Sequence, residues 1–563
     1  MGIQNNAASA SKNALISVFD KTGIEEFARG LTELGWTIYA SGGTKQRLLD
    51  ADIQAADVAD LVGGQAILGH RVVTLSREIS SGLLADMESQ ADIDELAKLN
   101  IPIIDLLCVD MYPLEQAVKK QGSTRDEVIE ATDIGGPTLI RAAAKGNRIV
   151  LTRPDQRQEV LRWLQDGRPA EQEYRQQLAA TAVYEIARYT AIESAYHNGE
   201  NVAAHVSRKW DDLKYGENPQ QANAAIYADN RIEVDPLGHD QFTFVKGSIR
   251  TFTNFVDADC LLQIATHIAA GFDRNFGKVL PIAIGMKHGN ACGAAVGETL
   301  AEATRKMIDG DTRAIFGGFV MVTGTIDKEV AEVLLHHGMG DFGKSRLLDG
   351  VIGADVTDEA LEILTRKKLR IVTNPELAKL NEKSLDFSRR IRHIRGAILE
   401  QPNYTFLLDL KADYVSASAE LTEQQKEDMV LGWAVGCVSN SNTISLVKNG
   451  MIIGNGVGQQ DRVGAAQLAL TRTTTEMATF EKDGDKLHMT ITLDQSKLHG
   501  AVAYSDSFFP FPDGPMILAN AGIKTILTTN GSVNDDLVMK TLADAGVTTV
   551  TIPDSIGRGF AKH

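Results

Sequence analysis

The 563-residue chain is too long for one hydrophobic core, and typical domain sizes imply about three or four units. Its 43% hydrophobic and 23% charged residues are ordinary for a soluble globular protein. A formal net charge of -17 repels polyanions and argues against nucleic-acid binding, while leaving room for a small phosphorylated ligand held by a few local donors.

Cys108, Cys260, Cys292 and Cys437 are widely spaced and form no CxxC, so neither a disulfide framework nor a thiolate zinc site is indicated. HExxH is absent, as is the HxE/PCxxC pattern of zinc deaminases, so no catalytic metal is expected. No run of 18 apolar residues is present, and the opening MGIQNNAASASKN lacks the apolar core of a signal peptide. The expectation is a cytoplasmic protein with no membrane partner.

In chain order, ALISVFD, KTG, the periodic IEEFARGLTELG, WTIYA and SGGTKQRLLDADI read as strand, loop, helix, strand, loop, helix. That alternation argues for α/β layering with a mostly parallel sheet. Ser41-Gly42-Gly43-Thr44 turns from a strand into a helix, offering free N–H groups and hydroxyls of the kind that bind phosphate. A plain helix cap is the alternative. Lys21, after the first strand, adds charge at the same sheet edge, where ligands of open α/β sheets gather.

IPIIDLLCVDMYP ends a strand near Tyr112. In ATDIGGPTLIRAAAK, Asp133 precedes a helix expected to begin near Thr138, with Lys145 almost two turns on. Taken alone, Lys145 reads as a helix-end lysine suited to the dipole. The polar helical stretch from Pro154 to His197 is expected to link the first domain to the rest, with a boundary near residue 200.

KYGENP is rich in turn formers and carries Lys214 and Tyr215. GSIRTFTNFVDADCLLQIATHIAAG predicts a helix capped by Asp257 or Asp259. The apolar VLPIAIGM then leads into KHGNACGAAVG, which sets Lys287 and His288 at a strand end among glycines and alanines. Near the C-terminus come another apolar helical run, strands, a glycine-rich loop with Arg462, and FFPFPDG. These suggest a second, related α/β unit. GNGVGQQ lacks the full GxGxxG pattern, which argues against a dinucleotide site. Phe508, Phe509 and Phe511 between Asp506 and Asp513 suit either a core or an apolar wall for a flat ring. The tail RGFAKH reads as a frayed end.

SVFDKTG, SGGT, MYPLE, DIGGPTLIRAAAK, LKYGENPQQ, MKHGNACG, FGG, SNSNTIS, GVGQQDRV, SDSFFPFPDG and NGSVNDD follow one another over nearly the whole chain. In that order they resemble the AICAR transformylase/IMP cyclohydrolase family. The resemblance implies a methylglyoxal-synthase-like cyclohydrolase domain over 1–200, linker helices included. It implies two cytidine-deaminase-like transformylase units, over 201–400 and 401–563. It also implies 10-formyltetrahydrofolate as cosubstrate and a homodimer.

Carried over by match, Lys287, His288 and Asn442 are the transferase's catalytic groups, and Tyr112, Asp133 and Lys145 those of ring closure. Ser17, Lys21, Ser41, Gly42, Gly43 and Thr44 form the phosphate loop. Lys214, Tyr215, Arg462, Phe508 and Asp513 surround ribotide and folate, and His563 loosely matches a C-terminal histidine. His288 suits a proton shuttle because an imidazole titrates near neutrality, and Lys287 suits charge stabilisation.

Four departures stand out. The family's GRVKTLHPKIHGG is HRVVTLSREISSG here, so Val73 replaces a lysine, and Ser76, Arg77, Glu78 and Ser80 replace His, Pro, Lys and His. Phe19 replaces a small hydroxyl residue in the phosphate region. Lys214 stands where arginine is usual, which keeps the charge but loses the bidentate fork. Gly436-Cys437 replaces a lysine-histidine pair. The expectation is surviving formyl transfer with weakened cyclisation, Arg71 or Arg77 being the residues placed to compensate. The alternatives are a formyltransferase for another aminoimidazole ribotide and a non-catalytic ribotide-binding protein.

Overall fold

A computed structural model describes residues 12–68, 72–228, 234–339, 345–474, 479–483, 486–490 and 495–562. His70, Arg71 and His563 lie outside the described residues. The chain divides into two compact units, one within residues 1–209 and the other within 233–563, which also takes in 210–226.

The first unit is a five-stranded sheet in the order Ala56–Asp57, Thr37–Ala40, Asn13–Ser17, Leu106–Val109, Ile149–Leu151. Every pairing in it is parallel. Parallel central strands are covered on both faces, and Ala14, Leu15, Ile16, Leu106 and Leu107 are accordingly fully buried. Because the strands point one way, the loops after Ser17, Ala40 and Val109 emerge at one edge. The polar stretch after residue 153 belongs to this unit. The helix Gln156–Gln165 buries Val160, Leu161, Trp163 and Leu164 in its core, and Glu171–Asn198 follows as a 28-residue helix.

The second unit is built on one twelve-stranded sheet. Outward from its centre, one half runs Asn290–Val296, Ile282–Lys287, Phe319–Val322, Gly350–Gly353, Arg370–Thr373, Thr243–Lys246. The other half runs Met451–Gly456, Ile444–Lys448, Val502–Ser505, Thr525–Asn530, Thr548–Pro553, Ser416–Ala417. Both halves pair in the same sequence outward: antiparallel, antiparallel, parallel, parallel, antiparallel. The halves meet in antiparallel register at Ala295 and Met451. The shared organisation that is faint in the sequence is therefore explicit in the topology.

Each half also inserts a long helix between its edge strand and its central hairpin, Phe252–Phe276 in one and Glu423–Gly436 in the other. The first begins after Thr251, so neither Asp257 nor Asp259 caps it, contrary to the sequence expectation. Asp257 lies in its second turn and is buried. Its carboxylate instead accepts the Gly289 N–H at 2.7 Å across the sheet surface. In the other half Asp428 does the same, accepting from Gly450 N at 2.7 Å and Asn449 N at 3.1 Å.

Burial pushes the Asp428 carboxyl up to about 6 from an ordinary 3.8, against the pull of these hydrogen bonds. The folded chain therefore holds this proton more tightly than the unfolded chain. The resulting stabilisation is complete below about pH 4 and disappears as the pH rises to about 6, a difference of roughly 3 kcal/mol. Asp428→Asn, which cannot ionise, is expected to gain stability relative to the parent over that window. Denaturant midpoints of both proteins at about pH 4 and pH 7 measure it. A stability difference that does not change with pH contradicts the assignment.

Candidate active site

Lys287 ends a strand and His288 opens the two-residue hairpin turn that follows it. Strand Ile282–Lys287 pairs with Asn290–Val296, Lys287 standing opposite Asn290. The residues between them, His288 and Gly289, both have positive φ, 52° and 71°. That is the backbone of a type I′ turn, which favours glycine at its second position and tolerates few side chains at its first. The imidazole is exposed at the tip, Lys287 is half-buried and Gly289 is buried. The tight end of the hairpin is thus why a lysine and a histidine follow a buried apolar strand.

The Lys287 stem lies against Gly317 and Gly318 of the FGG motif. A Cβ on Gly318 would meet Met286 O at 2.2 Å and Lys287 Cγ at 2.7 Å, and its φ of 71° already disfavours a side chain. The Asp349 carboxylate accepts the Gly318 N–H at 3.2 Å. Beneath the turn, burial raises the Asp257 carboxyl pKa, while the Gly289 N–H and the nearby Lys562 ammonium draw it down.

Asn442 comes from a different part of the sequence and is brought close by direct bonds. Asn440 N donates to Asn290 Oδ1 at 3.0 Å, tying the segment before Asn442 to the hairpin. Asn442 Nδ2 donates to Gln459 O at 2.9 Å, and the backbones of the two residues also bond to each other. This fixes the amide on the GVGQQ loop with one N–H to spare.

The C-terminal tail is part of the same assembly, not a frayed end. Ala561 bridges in parallel to Asn440, Gly559 N donates to Asp506 O at 2.9 Å, and Lys562 Nζ donates to Gly289 O. Neither Asp349 nor Lys562 carries a local sequence signal, and Asp257 carries only that of a helix cap.

Arg462 and Phe508 are joined, but by protein contacts. Arg462 Nε donates to Phe508 O at 2.7 Å, and its Nη1 pairs with fully buried Asp506 at 2.5 Å. Asp506 also accepts from Ser441 Oγ at 2.6 Å and Thr443 N at 3.0 Å. Most of the guanidinium therefore serves this buried network, which leads back to the Asn442 segment. Asp513 is exposed, opens the helix Asp513–Asn520 and bonds the Gly514 N–H at 2.8 Å. Lys214 and Tyr215 stand on a separate loop, the lysine over the tyrosine ring at 5.5 Å, with Lys214 N donating to Arg250 O. Gly436 leaves no room for the family's larger residue, since a Cβ there would lie 2.3 Å from the Tyr504 ring. Cys437 beside it is buried, and burial pushes its thiol pKa far up.

In the first unit the residues expected to hold a phosphate lie together at one sheet edge. Ser17 Oγ and Ser41 Oγ lie 3.0 Å apart. Lys21 Nζ donates to Val18 O and, at 3.2 Å, to Thr44 Oγ1, and burial lowers the lysine pKa. Ser41 stands at the N-cap of the helix Gly42–Asp50 without using its side chain as a cap, while Thr44 N and Lys45 N donate to its carbonyl oxygen at 3.1 and 3.2 Å. Buried Arg157 braces this edge from below through Thr22 O, Asp20 O and Asp110. It escaped the sequence reading because its helix looked like a linker.

Tyr112 N donates to Asp133 Oδ2 at 3.4 Å, and Asp133 Oδ1 accepts from Gly136 N at 2.8 Å. Burial raises the Asp133 pKa. The helix here runs Gly135–Lys145, beginning three residues before the expected start, so Lys145 is its last residue. At 1.5 Å per residue the two ends lie about 15 Å apart. Lys145 therefore stands at the end of this helix away from Asp133. Lys145 lines an open groove of about 1080 Å³ with Val183 and Ala187.

Phe19 packs edge-on to Tyr112, with centroids 5.7 Å apart. Val73 packs against the core of the unit, and Ser76 caps the helix Arg77–Leu84 by accepting the Ile79 N–H at 3.1 Å. Arg77 is exposed and paired with Glu78 at 3.1 Å. Among the described residues no group of three or more His, Cys, Asp or Glu is arranged to hold a metal. Among the same residues no helix is long and apolar enough to cross a membrane.

Residues 23–138 match the MGS-like domain and residues 143–472 the AICARFT/IMPCHase bienzyme, so the chain belongs to that bienzyme family. Curated relatives named bifunctional purine biosynthesis protein PurH align along almost its whole length. That of Bacillus cytotoxicus is 32% identical over 96% of this chain and 98% of its own, and that of Bacillus cereus strain ATCC 10987 is 32% identical over the same shares. A solved structure titled "Crystal structure of ForH" is 34% identical, covering 33% of this chain and 98% of its own, with a TM-score of 0.29, too low to inform the fold.

The support under Lys287 is directly testable. Gly318→Ala is expected to cost about 1–3 kcal/mol of stability, because it combines an unfavourable backbone with two close contacts. It is also expected to displace the Lys287 side chain. A denaturation midpoint equal to that of the parent shows that the loop relaxes without consequence.

Proposed function

We propose that the second unit transfers a formyl group from 10-formyltetrahydrofolate to the 5-amino group of AICAR, giving formyl-AICAR. The observation that carries the reading is the joining of the His288 turn to the Asn442 segment by the Asn290–Asn440 hydrogen bond, with Lys287 beside the turn. The acceptor amine is bonded to an electron-poor imidazole and is a weak nucleophile. Its nitrogen attacks the formyl carbon, a C–N bond forms, and the bond from that carbon to the folate nitrogen breaks. His288 takes the amine proton, and the folate nitrogen leaves with a proton. Lys287 and the spare Asn442 N–H stabilise the oxyanion between these steps. Lys214, Tyr215, Phe508 and Asp513 belong to the ribotide and folate surroundings, Arg462 acting there mainly through its pairing with Asp506.

The two halves, 201–400 and 401–563, are read as cytidine-deaminase-like units, and the chain as pairing with a second copy of itself into a homodimer in the cytoplasm. The matched topologies of the two half-sheets support the kinship of the halves.

The first unit, over 1–200, is read as a ribotide-binding cyclohydrolase domain of reduced activity. The phosphate loop supports binding. Val73 supplies neither proton nor charge, and Arg77 is committed to Glu78 at the surface. Ring closure is intramolecular and needs less help than transfer, so slow cyclisation remains within reach of Tyr112 and Asp133.

The test is a time course of nucleotides formed from AICAR and 10-formyltetrahydrofolate. The expected result is accumulation of formyl-AICAR with IMP lagging behind it. His288→Ala is expected to slow transfer by about 100-fold or more. No transfer by the folded parent protein overturns the assignment, and IMP appearing without a lag overturns the weakened first unit.

A further inference from the structure

The two hairpins at the centre of the twelve-stranded sheet are the same device with different contents. One turn reads Lys287-His288-Gly289 and the other Lys448-Asn449-Gly450. His288 and Asn449 have φ of 52° and 53°, and Gly289 and Gly450 of 71° and 73°. In both turns the lysine is half-buried, the next residue exposed and the glycine buried. Under each turn a buried aspartate from the preceding long helix accepts the glycine N–H at 2.7 Å, Asp257 in one and Asp428 in the other.

The carbonyl side of the turn is where they differ. Gly450 O accepts a backbone bond from Val296 N at 2.9 Å, as an interior strand end does. Gly289 O accepts from the Lys562 ammonium, a side chain delivered by the last turn of the chain. After Gly456 the backbone that would serve Gly289 turns away, Gly458 N donating instead to Asn440 O at 2.7 Å. This is the GVGQQ loop that holds Asn442. The opening of the active site thus removes a backbone clamp, and a lysine from the tail fills its place.

We propose that Asp257 and Lys562 are positioning residues for formyl transfer, gripping the N–H and the C=O of Gly289 so that the preceding His288 imidazole is held at the reacting atoms. The proposal rests on the reading of His288 as the proton shuttle. Asp428, which grips a turn carrying asparagine, supplies the internal control. The carboxylate-on-turn contact serves stability in both halves and chemistry in only one.

The test is steady-state transfer from 10-formyltetrahydrofolate to AICAR in the full chain, with thermal midpoints measured on every variant. Asp257→Ala is expected to lower kcat by about 100-fold, the scale on which a misplaced group costs rate, with both KM values within about threefold of the parent. Asp257→Asn keeps an oxygen that can accept the Gly289 N–H, and is expected to recover kcat to within about tenfold of the parent. Lys562→Ala is expected to lower kcat by about tenfold with little change in midpoint. Asp428→Ala is expected to lower the midpoint as Asp257→Ala does while leaving kcat within about threefold.

Equal kcat losses in the Asp257→Ala and Asp428→Ala proteins show a merely structural role and overturn the proposal. So does an Asp257→Asn protein no more active than Asp257→Ala, or a Lys562→Ala protein with parental kcat. If Asp257→Ala does not fold, Lys562→Ala decides by its own criterion, and an Asp257→Asn protein of parental midpoint with kcat lowered by about 100-fold overturns the proposal. Parental activity in His288→Ala breaks the underlying reading of the site. Inactive His288→Ala alongside fully active Asp257→Asn and Lys562→Ala breaks only the clamp.

Discussion

The second unit depends on the antiparallel contact between Asn290–Val296 and Met451–Gly456. It joins two half-sheets into one and sends their hairpin turns to opposite ends of the central strands. Close approach of helices makes this possible. Gly293 leaves room for the backbone of Met307, and Gly456 for that of Ala465, where a Cβ would lie 2.4 and 2.2 Å from a carbonyl oxygen. The glycines in both hairpins, joined by alanines in the first, are the imprint of helices laid directly on them. Larger side chains there would lift the helices and loosen the turns.

That arrangement accounts for the position of the chemistry. A two-residue turn at a sheet end exposes its first residue while its strands remain buried, so His288 reaches solvent from an otherwise apolar hairpin. Duplication then supplies two equivalent turns. Only one of them lies beside the GVGQQ loop, the Asn440–Asn442 segment and the tail. The buried pair of Arg462 and Asp506 organises that side by linking Ser441, Thr443 and Phe508. A buried ion pair of this kind is better understood as fixing one arrangement than as adding much stability.

The first unit shows conservation of frame with change of content. Its phosphate loop follows from strand, glycine turn and helix, and the residues around Val73 fold into a capped helix with an apolar anchor. Ser76 gives the Arg77–Leu84 helix an N-cap hydroxyl, and Val73 joins the core. The segment is thus held by a hydroxyl cap at one end and an apolar anchor at the other.

Much of this was legible in the linear sequence. Alternating periodicities announced α/β layering, SGGT announced a turn from strand into helix, and KHG after an apolar run announced an unusual strand end. Each is a local rule in which side-chain type and spacing dictate the backbone within a few residues. The sequence by itself therefore determined the elements, the glycine turn from strand into helix at Ser41–Thr44, and the family motifs. Tertiary structure alone decided which distant groups meet: that Asp257 grips a turn 32 residues away instead of capping its own helix, and that Lys562 closes the same turn from the end of the chain. It also placed Lys145 at the far end of its helix from Asp133. The reason is that a buried carboxylate or an unpaired carbonyl takes whichever partner the packed fold brings within reach, and that partner is set by the sheet order and not by separation along the chain.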